Sequence, residues 1–230
     1  NLYTKKYNTK SVSVGYAYRT ENILFLSGLS YNFATLGNDQ VFPFNNSLTK
    51  NFTSFLPYIT FRYGQRRISE FMIDYRVSNN SPGVEQLQNV LDNTNPLQLS
   101  IGNPFLRQDT RHSISLRYST TNQSNYSSLF VLFGGTITQD YIAYEKIIAV
   151  KDTIIKGVLL NPGVQLQTPV NLDGFKNFRS MVTYSTPIDF LYSNFNLNMS
   201  YNFSNTPVIQ NGVKGNTRSS SISLGVVFSS

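Results

Sequence analysis

The chain has 230 residues, 19 Lys and Arg against 12 Asp and Glu, a formal charge of +7, no Cys, no Trp and a single His. Without thiols there is no disulfide framework or thiolate metal site, and one His cannot build a multi-histidine centre, so no metal or other cofactor is expected. Charged residues make up 13% of the chain, about half the usual quarter, while 15 Tyr and 17 Phe supply enough apolar surface to argue against disorder.

A membrane-spanning helix is excluded too. The longest run without a polar residue is Leu129 to Phe133, extended only by Gly134 and Gly135, whereas such a helix needs roughly 20 apolar residues. The chain opens at Asn1 with no basic-then-apolar leader, which suggests a cut end or a processed terminus. Its positive charge does not point to nucleic acid, because no Lys/Arg run exceeds two residues and the basic residues are dispersed.

The dominant pattern is alternation with period two, one parity apolar or aromatic and the other small or polar. Val12, Val14, Tyr16 and Tyr18 alternate with Ser13, Gly15, Ala17 and Arg19; Phe71, Ile73 and Tyr75 alternate with Glu70, Asp74 and Arg76. Ile114, Leu116 and Tyr118 alternate with Ser113, Ser115 and Arg117, and Phe195 to Phe203 alternate with a row of Asn and Ser. The periodicity predicts nine strands near 11–19, 23–34, 54–63, 69–77, 111–119, 127–138, 175–185, 194–204 and 218–228. Each has one wet face and is about as long as a tilted membrane strand of ~9–11 residues.

The connections between them alternate strictly. Those at 20–22, 64–68, 120–126 and 186–193 are short, and those at 35–53, 78–110, 139–174 and 205–217 are long. Tight turns at one end and extended loops at the other are the pattern of an antiparallel transmembrane β-barrel of the outer membrane. Since a sheet crosses a bilayer only when its edges close and natural bacterial barrels have even strand numbers, residues 1–230 are expected to form part of a larger barrel domain. Tyr16, Tyr18, Tyr31, Phe33, Tyr63, Tyr75, Tyr118, Tyr184, Tyr201 and Phe228 lie where an interfacial girdle would sit, although the core of a β-sandwich would use such residues equally well.

Several segments carry a family resemblance. They are Phe52-Thr53-Ser54-Phe55-Leu56-Pro57, Ser81-Pro82-Gly83-Val84-Glu85-Gln86-Leu87-Gln88, Asp92-Asn93-Thr94-Asn95-Pro96-Leu97, Gly102-Asn103-Pro104-Phe105-Leu106-Arg107 leading into His112 to Tyr118, and Pro169-Val170-Asn171-Leu172-Asp173-Gly174. In this order they resemble the barrels of the TonB-dependent outer-membrane receptor superfamily, in the subfamily with a carboxypeptidase-regulatory-like N-terminal extension. Phe105 departs from the Asp or Asn frequent in relatives, and Gln108-Asp109 from a common Pro-Glu. The resemblance implies a barrel of about 22 strands, a plug domain elsewhere in the same full-length chain, TonB engaged through an N-terminal part, a possible surface lipoprotein partner, and nutrient import. No plug is recognisable in these residues. Outer-membrane lipid and lipopolysaccharide are the expected neighbours, and they suit the positive charge.

If the polar parity lines the lumen, Arg19, Arg62, Glu70, Asp74, Arg76, Arg117 and Arg179 point inward. They either contact a plug or an anionic substrate through the arginine fork, or pair structurally with one another across strands. Glu70 and Asp74 stand four apart on one strand, roughly 13 Å at ~3.4 Å per residue, too far for the ~5–9.5 Å of a glycosidase pair. His112 has no Ser and Asp at a triad spacing; no catalytic residue is expected. The loops 78–110 and 139–174 are the stronger binding candidates. Within the first, Val84, Leu87, Val90 and Leu91 have the spacing of one helix face; in the second, Tyr141, Ala143, Val164 and Leu166 suggest strands reaching above the membrane. An adhesion or structural barrel without transport, and a soluble secreted carbohydrate-binding β-sandwich, are the alternatives.

Overall fold

A computed structural model describes residues 2–42, 46–65 and 68–229. Where the period-two pattern runs, the chain is extended. The first four strands are β1 (Leu2–Arg19), β2 (Ile23–Phe42), β3 (Asn46–Gln65) and β4 (Ser69–Asn80). A loop then carries a four-residue helix α1 (Val84–Leu87) and two short strands, β5 (Leu91–Asp92) and β6 (Gln98–Ile101). Next come β7 (Asp109–Thr121) and β8 (Ser128–Gln139). The second long excursion holds β9 (Tyr141–Ile148), β10 (Thr153–Ile155), β11 (Val158–Leu160) and β12 (Gln165–Leu172). The chain ends in β13 (Phe175–Ile188), β14 (Ser193–Gln210) and β15 (Val213–Ser229).

The nine long strands form one antiparallel wall in the order β1-β2-β3-β4-β7-β8-β13-β14-β15, and the sheet is open, with β1 and β15 at its edges. All nine expected strands are present. Two of the four expected long loops are instead strand. Residues 35–42 and 46–53 extend β2 and β3, paired from Leu36 opposite Lys50 to Gln40 opposite Asn46, and the tip at 43–45 lies outside the described residues, as do residues 66–67 of the turn before β4 and Asn1. Residues 205–217 extend β14 and β15 around a two-residue turn, Asn211 (φ 49°) and Gly212 (φ 78°). Positive φ at both positions is what a type I′ hairpin demands, and Asn-Gly supplies it with least strain.

Directly paired residues share a face, so the register fixes which side each chain of residues takes. One face carries Val12, Val14, Tyr31, Phe55, Ile114, Phe133, Met199, Ile222 and Leu224, all exposed. Among the described residues no second sheet is stacked on it; the two buried apolar clusters lie in the loops and on the opposite face. A soluble sandwich would bury this side. The ten aromatics singled out in the sequence lie on it, and a water-facing position for so large an apolar band is untenable.

The loops at the long end have structure of their own. Strand β12 pairs antiparallel with β9 and parallel with β6, and β9 joins the wall through Glu145, opposite Ile209 of β14. Leu99, Ile101, Ala149, Leu160 and Leu166 form the core of this shelf. Helix α1 is shorter than the apolar spacing suggests. It stops at Leu87, Gln88 being already extended, and Leu91 begins β5.

Candidate functional site: the lumenal wall and its inward loop

The other face of the wall is polar, and it carries all seven charged residues expected there. Following the register across strands, one row reads Arg19, Leu24, Arg62, Met72, Arg117, Leu132, Met181. Its arginines are two strands apart, about 10 Å at ~4.8 Å per strand. The next row reads Thr60, Asp74, Ser115, Gly134, Arg179, and the one beyond it Tyr58, Arg76, Ser113, Thr136, Asn177. Glu70 lies one step the other way, diagonal to Arg62.

The two carboxylates are held by neighbours on the adjacent strand. Thr60 Oγ1 donates to Asp74 Oδ2 at 2.6 Å, and Arg62 Nε stands 3.8 Å from Glu70 Oε2. For these three charged residues the structural pairing is what the geometry shows. Arg19, Arg76, Arg117 and Arg179 are different: they are exposed and make no ion pair among the described residues. Arg179 lies across Gly134, where a Cβ would meet its Cγ and Nε at 3.2 Å. Together with Asp74, Ser113, Ser115, Thr136 and Asn177 it lines a shallow recess of about 350 Å³.

Two features of this face escape sequence reasoning. Arg111 shares it, opposite Ser78 and Thr138; its position at the very start of a strand hid its parity. Tyr58 lies flat over Gly28, where a Cβ would come within 2.6 Å of its ring carbons and hydroxyl, and over Gly15. An aromatic covering cross-strand glycines stiffens a sheet that lacks side chains of its own. Neither glycine announces this partner, because the contact crosses three strands.

Above the recess the loop 81–108 folds inward over β2 and β3. Val84, Leu87 and Leu106 bury themselves against Ala34, Leu36 and Phe52, residues of the lumenal parity. The apolar stripe of α1 therefore serves packing. Lys50 fastens the loop: its Nζ donates to the carbonyls of Pro104 (2.5 Å) and Leu106 (2.6 Å) and stands 5.9 Å from the centre of the Phe52 ring. Burial lowers the pKa of this lysine, which lies beyond the apolar band. A polar seam continues downward, Ser54 donating to Gln108, Gln108 to Ser81, and Ser81 sharing a hydrogen bond with Tyr7. The shelf is tied to the same loop by Asn103 to the Pro169 carbonyl, by Asn171 to Arg107 and by the Arg107–Asp140 ion pair at 2.5 Å.

His112 sits on the outward side, its Nδ1 hydrogen-bonded to the Tyr75 hydroxyl at 2.9 Å. An apolar outer face, a charged inner face and loops gathered at one end define a wall of a transmembrane β-barrel. The chain matches the outer membrane protein beta-barrel family over residues 3–229, and it belongs to that family. It is accordingly an outer-membrane protein. A search of curated proteins finds no match.

Proposed function

We propose that this wall is part of a TonB-dependent receptor that brings a nutrient through the outer membrane, with anionic groups of the cargo or of an inserted plug meeting the lumenal arginines. The observation that carries the reading is the set of four arginines without an ion pair among the described residues, Arg19, Arg76, Arg117 and Arg179, on one face below a loop folded across it. Six arginines, counting Arg62 and Arg111, face the lumen, against Glu70, Asp74 and the buried Asp109 among the described residues of that parity. An excess of one sign in a narrow, water-filled space concentrates ions of the other, and arginine grips carboxylates and phosphates in a bidentate fork.

The open edges at β1 and β15 support closure by further strands of the full-length protein, since unpaired backbone groups are costly in hydrocarbon. The work done is binding and displacement, with no bond made or broken in the cargo. TonB, a plug domain of the same chain and a surface lipoprotein are the partners this reading requires.

The test is uptake by cells carrying the full-length protein, measured with labelled oligosaccharide, peptide and iron-chelate pools. Import that stops when the proton-motive force is collapsed, and falls with Arg117→Gln/Arg179→Gln, is the expected result. Import indifferent to both treatments would sink the reading and leave a passive or adhesive barrel.

A further inference from the structure

The outward face of β13, β14 and β15 changes character at one row. From Phe178 to Thr186, from Phe195 to Phe203 and from Ser220 to Phe228, the residues of outward parity are mostly apolar or aromatic. Each stretch matches the ~9–11 residues by which a tilted strand crosses the hydrocarbon. The next row toward the long loops is Lys176, Asn205, Arg218. Its cations lie two strands apart, about 10 Å at ~4.8 Å per strand, on either side of the asparagine. Lys214 follows on the same face of β15, four positions on.

The row is built. Asn205 Nδ2 donates to the Gly174 carbonyl at 2.7 Å and to Asn216 Oδ1 at 3.1 Å, and its Oδ1 receives Arg218 Nε at 3.4 Å. Lys176 and Arg218 are exposed and have no carboxylate partner among the described residues. The neighbouring Asp173 accepts the Asp140 backbone N–H at 2.9 Å, and with Lys214 and Asn216 it lines a recess of about 360 Å³ beside the row. On these three strands the outward-facing charges all stand at the long-loop end.

We propose that Lys176 and Arg218, the latter positioned by Asn205, form a site for the phosphate of an anionic lipid in the leaflet on the long-loop side. The row lies where the headgroup layer begins, so a lipid whose chains cover Phe178, Phe203 and Tyr201 brings its phosphate to the height of the two cations. A phosphorylated glycolipid with phosphates on both sides of its sugar core fits a pair spaced in this way better than a single free anion does. The inference rests on the membrane placement of the wall alone and is independent of import.

The experiment uses the full-length protein in mild detergent, titrated with a diphosphorylated glycolipid of lipid A type, with its dephosphorylated counterpart and with inorganic phosphate as competitor. A cation at an anionic lipid surface contributes about fivefold in affinity, so Lys176→Gln/Arg218→Gln is expected to retain the diphosphorylated lipid roughly 30-fold more weakly. Lys176→Arg/Arg218→Lys should stay close to the parent, and Lys151→Gln, on the shelf, should change nothing. Should the double variant fail to fold, Arg218→Gln alone is expected to lose about fivefold. Equal retention by the glutamine variant and the parent, or equal retention of the dephosphorylated lipid, overturns the proposal. Displacement of the lipid by millimolar inorganic phosphate overturns it as well, since the site would then be one for a free anion.

Discussion

The membrane wall and the loop shelf are both β-structure, yet they place their apolar residues in opposite ways. On the wall, Val12 is 72% and Ile222 79% exposed, and the covering comes from lipid. In the loops, Leu87, Leu106, Leu160 and Leu166 are fully buried within the chain. The wall is held together by its hydrogen-bond ladder and by the solvent around it; the loops need cores of their own because water surrounds them. One chain thus builds for two solvents, and the border runs across β2, β3, β14 and β15 partway along their length.

Removing a buried side chain should separate the two regions most strongly. Leu166→Ala, or Leu87→Ala for the other cluster, should cost about 2–5 kcal/mol locally. Limited proteolysis is expected to open 81–108 and 139–174 while the wall keeps its thermal unfolding. A lower midpoint for the whole barrel would mean that loops and wall unfold as one unit.

An arginine on an exposed apolar position reads the surrounding solvent directly. Met199 on the wall and Ile154 in the shelf are both open in the isolated chain, at 48% and 73%. Met199→Arg should destabilise insertion by about 2–4 kcal/mol if it lies near the bilayer midplane, and Ile154→Arg by less than about 0.5 kcal/mol. Folding into vesicles, followed by protection from protease, measures both. Equal effects would remove the lipid from one side of the comparison.

Lys50 joins the regions, and its loss should release the loop. Lys50→Met leaves the carbonyls of Pro104 and Leu106 without their donor, a cost of about 1–3 kcal/mol where such groups stay buried. Hydrogen exchange at 103–108 should speed up while β4 and β7 stay protected. The pH dependence has a definite sign. Since burial lowers the folded-state pKa below 10.5, the unfolded loop binds the proton more tightly between the two values, and stability rises with pH through that window. Loosening over the same window would contradict burial as the cause.

The nine long strands are legible in the sequence because lipid on one side and water on the other impose a strict alternation, as in Phe195 to Phe203. The extensions are not, because there the lumenal parity of Ala34, Leu36 and Asn38 is buried, Leu36 under the inward loop, and apolar and polar residues share that face, so polarity no longer marks parity. The shelf is hidden for a further reason: Leu99, Leu160 and Leu166 come together from distant segments, and β6 pairs with β12 across more than sixty positions. At the lumenal site, parity alone places Arg19, Arg62, Glu70, Asp74, Arg76, Arg117 and Arg179 on one face. Which of them pair depends on register, and no single strand contains that information.

That division between paired and unpaired arginines gives the smallest and most pointed prediction. Glu70→Gln removes the carboxylate 3.8 Å from Arg62. The pair is partly exposed, so stability should change by about 0–1 kcal/mol, a shift of a few degrees at most in thermal unfolding. The row Arg19, Arg62, Arg117 would then present three arginines with no carboxylate beside Arg62's Nε, at about 10 Å intervals. If the lumen takes anionic groups, the variant should capture an anionic cargo more tightly than the parent while neutral solutes are unaffected. A variant with unchanged stability and unchanged anion capture would assign Arg62 and Glu70 to the architecture of the wall, and leave Arg19, Arg76, Arg117 and Arg179 to carry the binding.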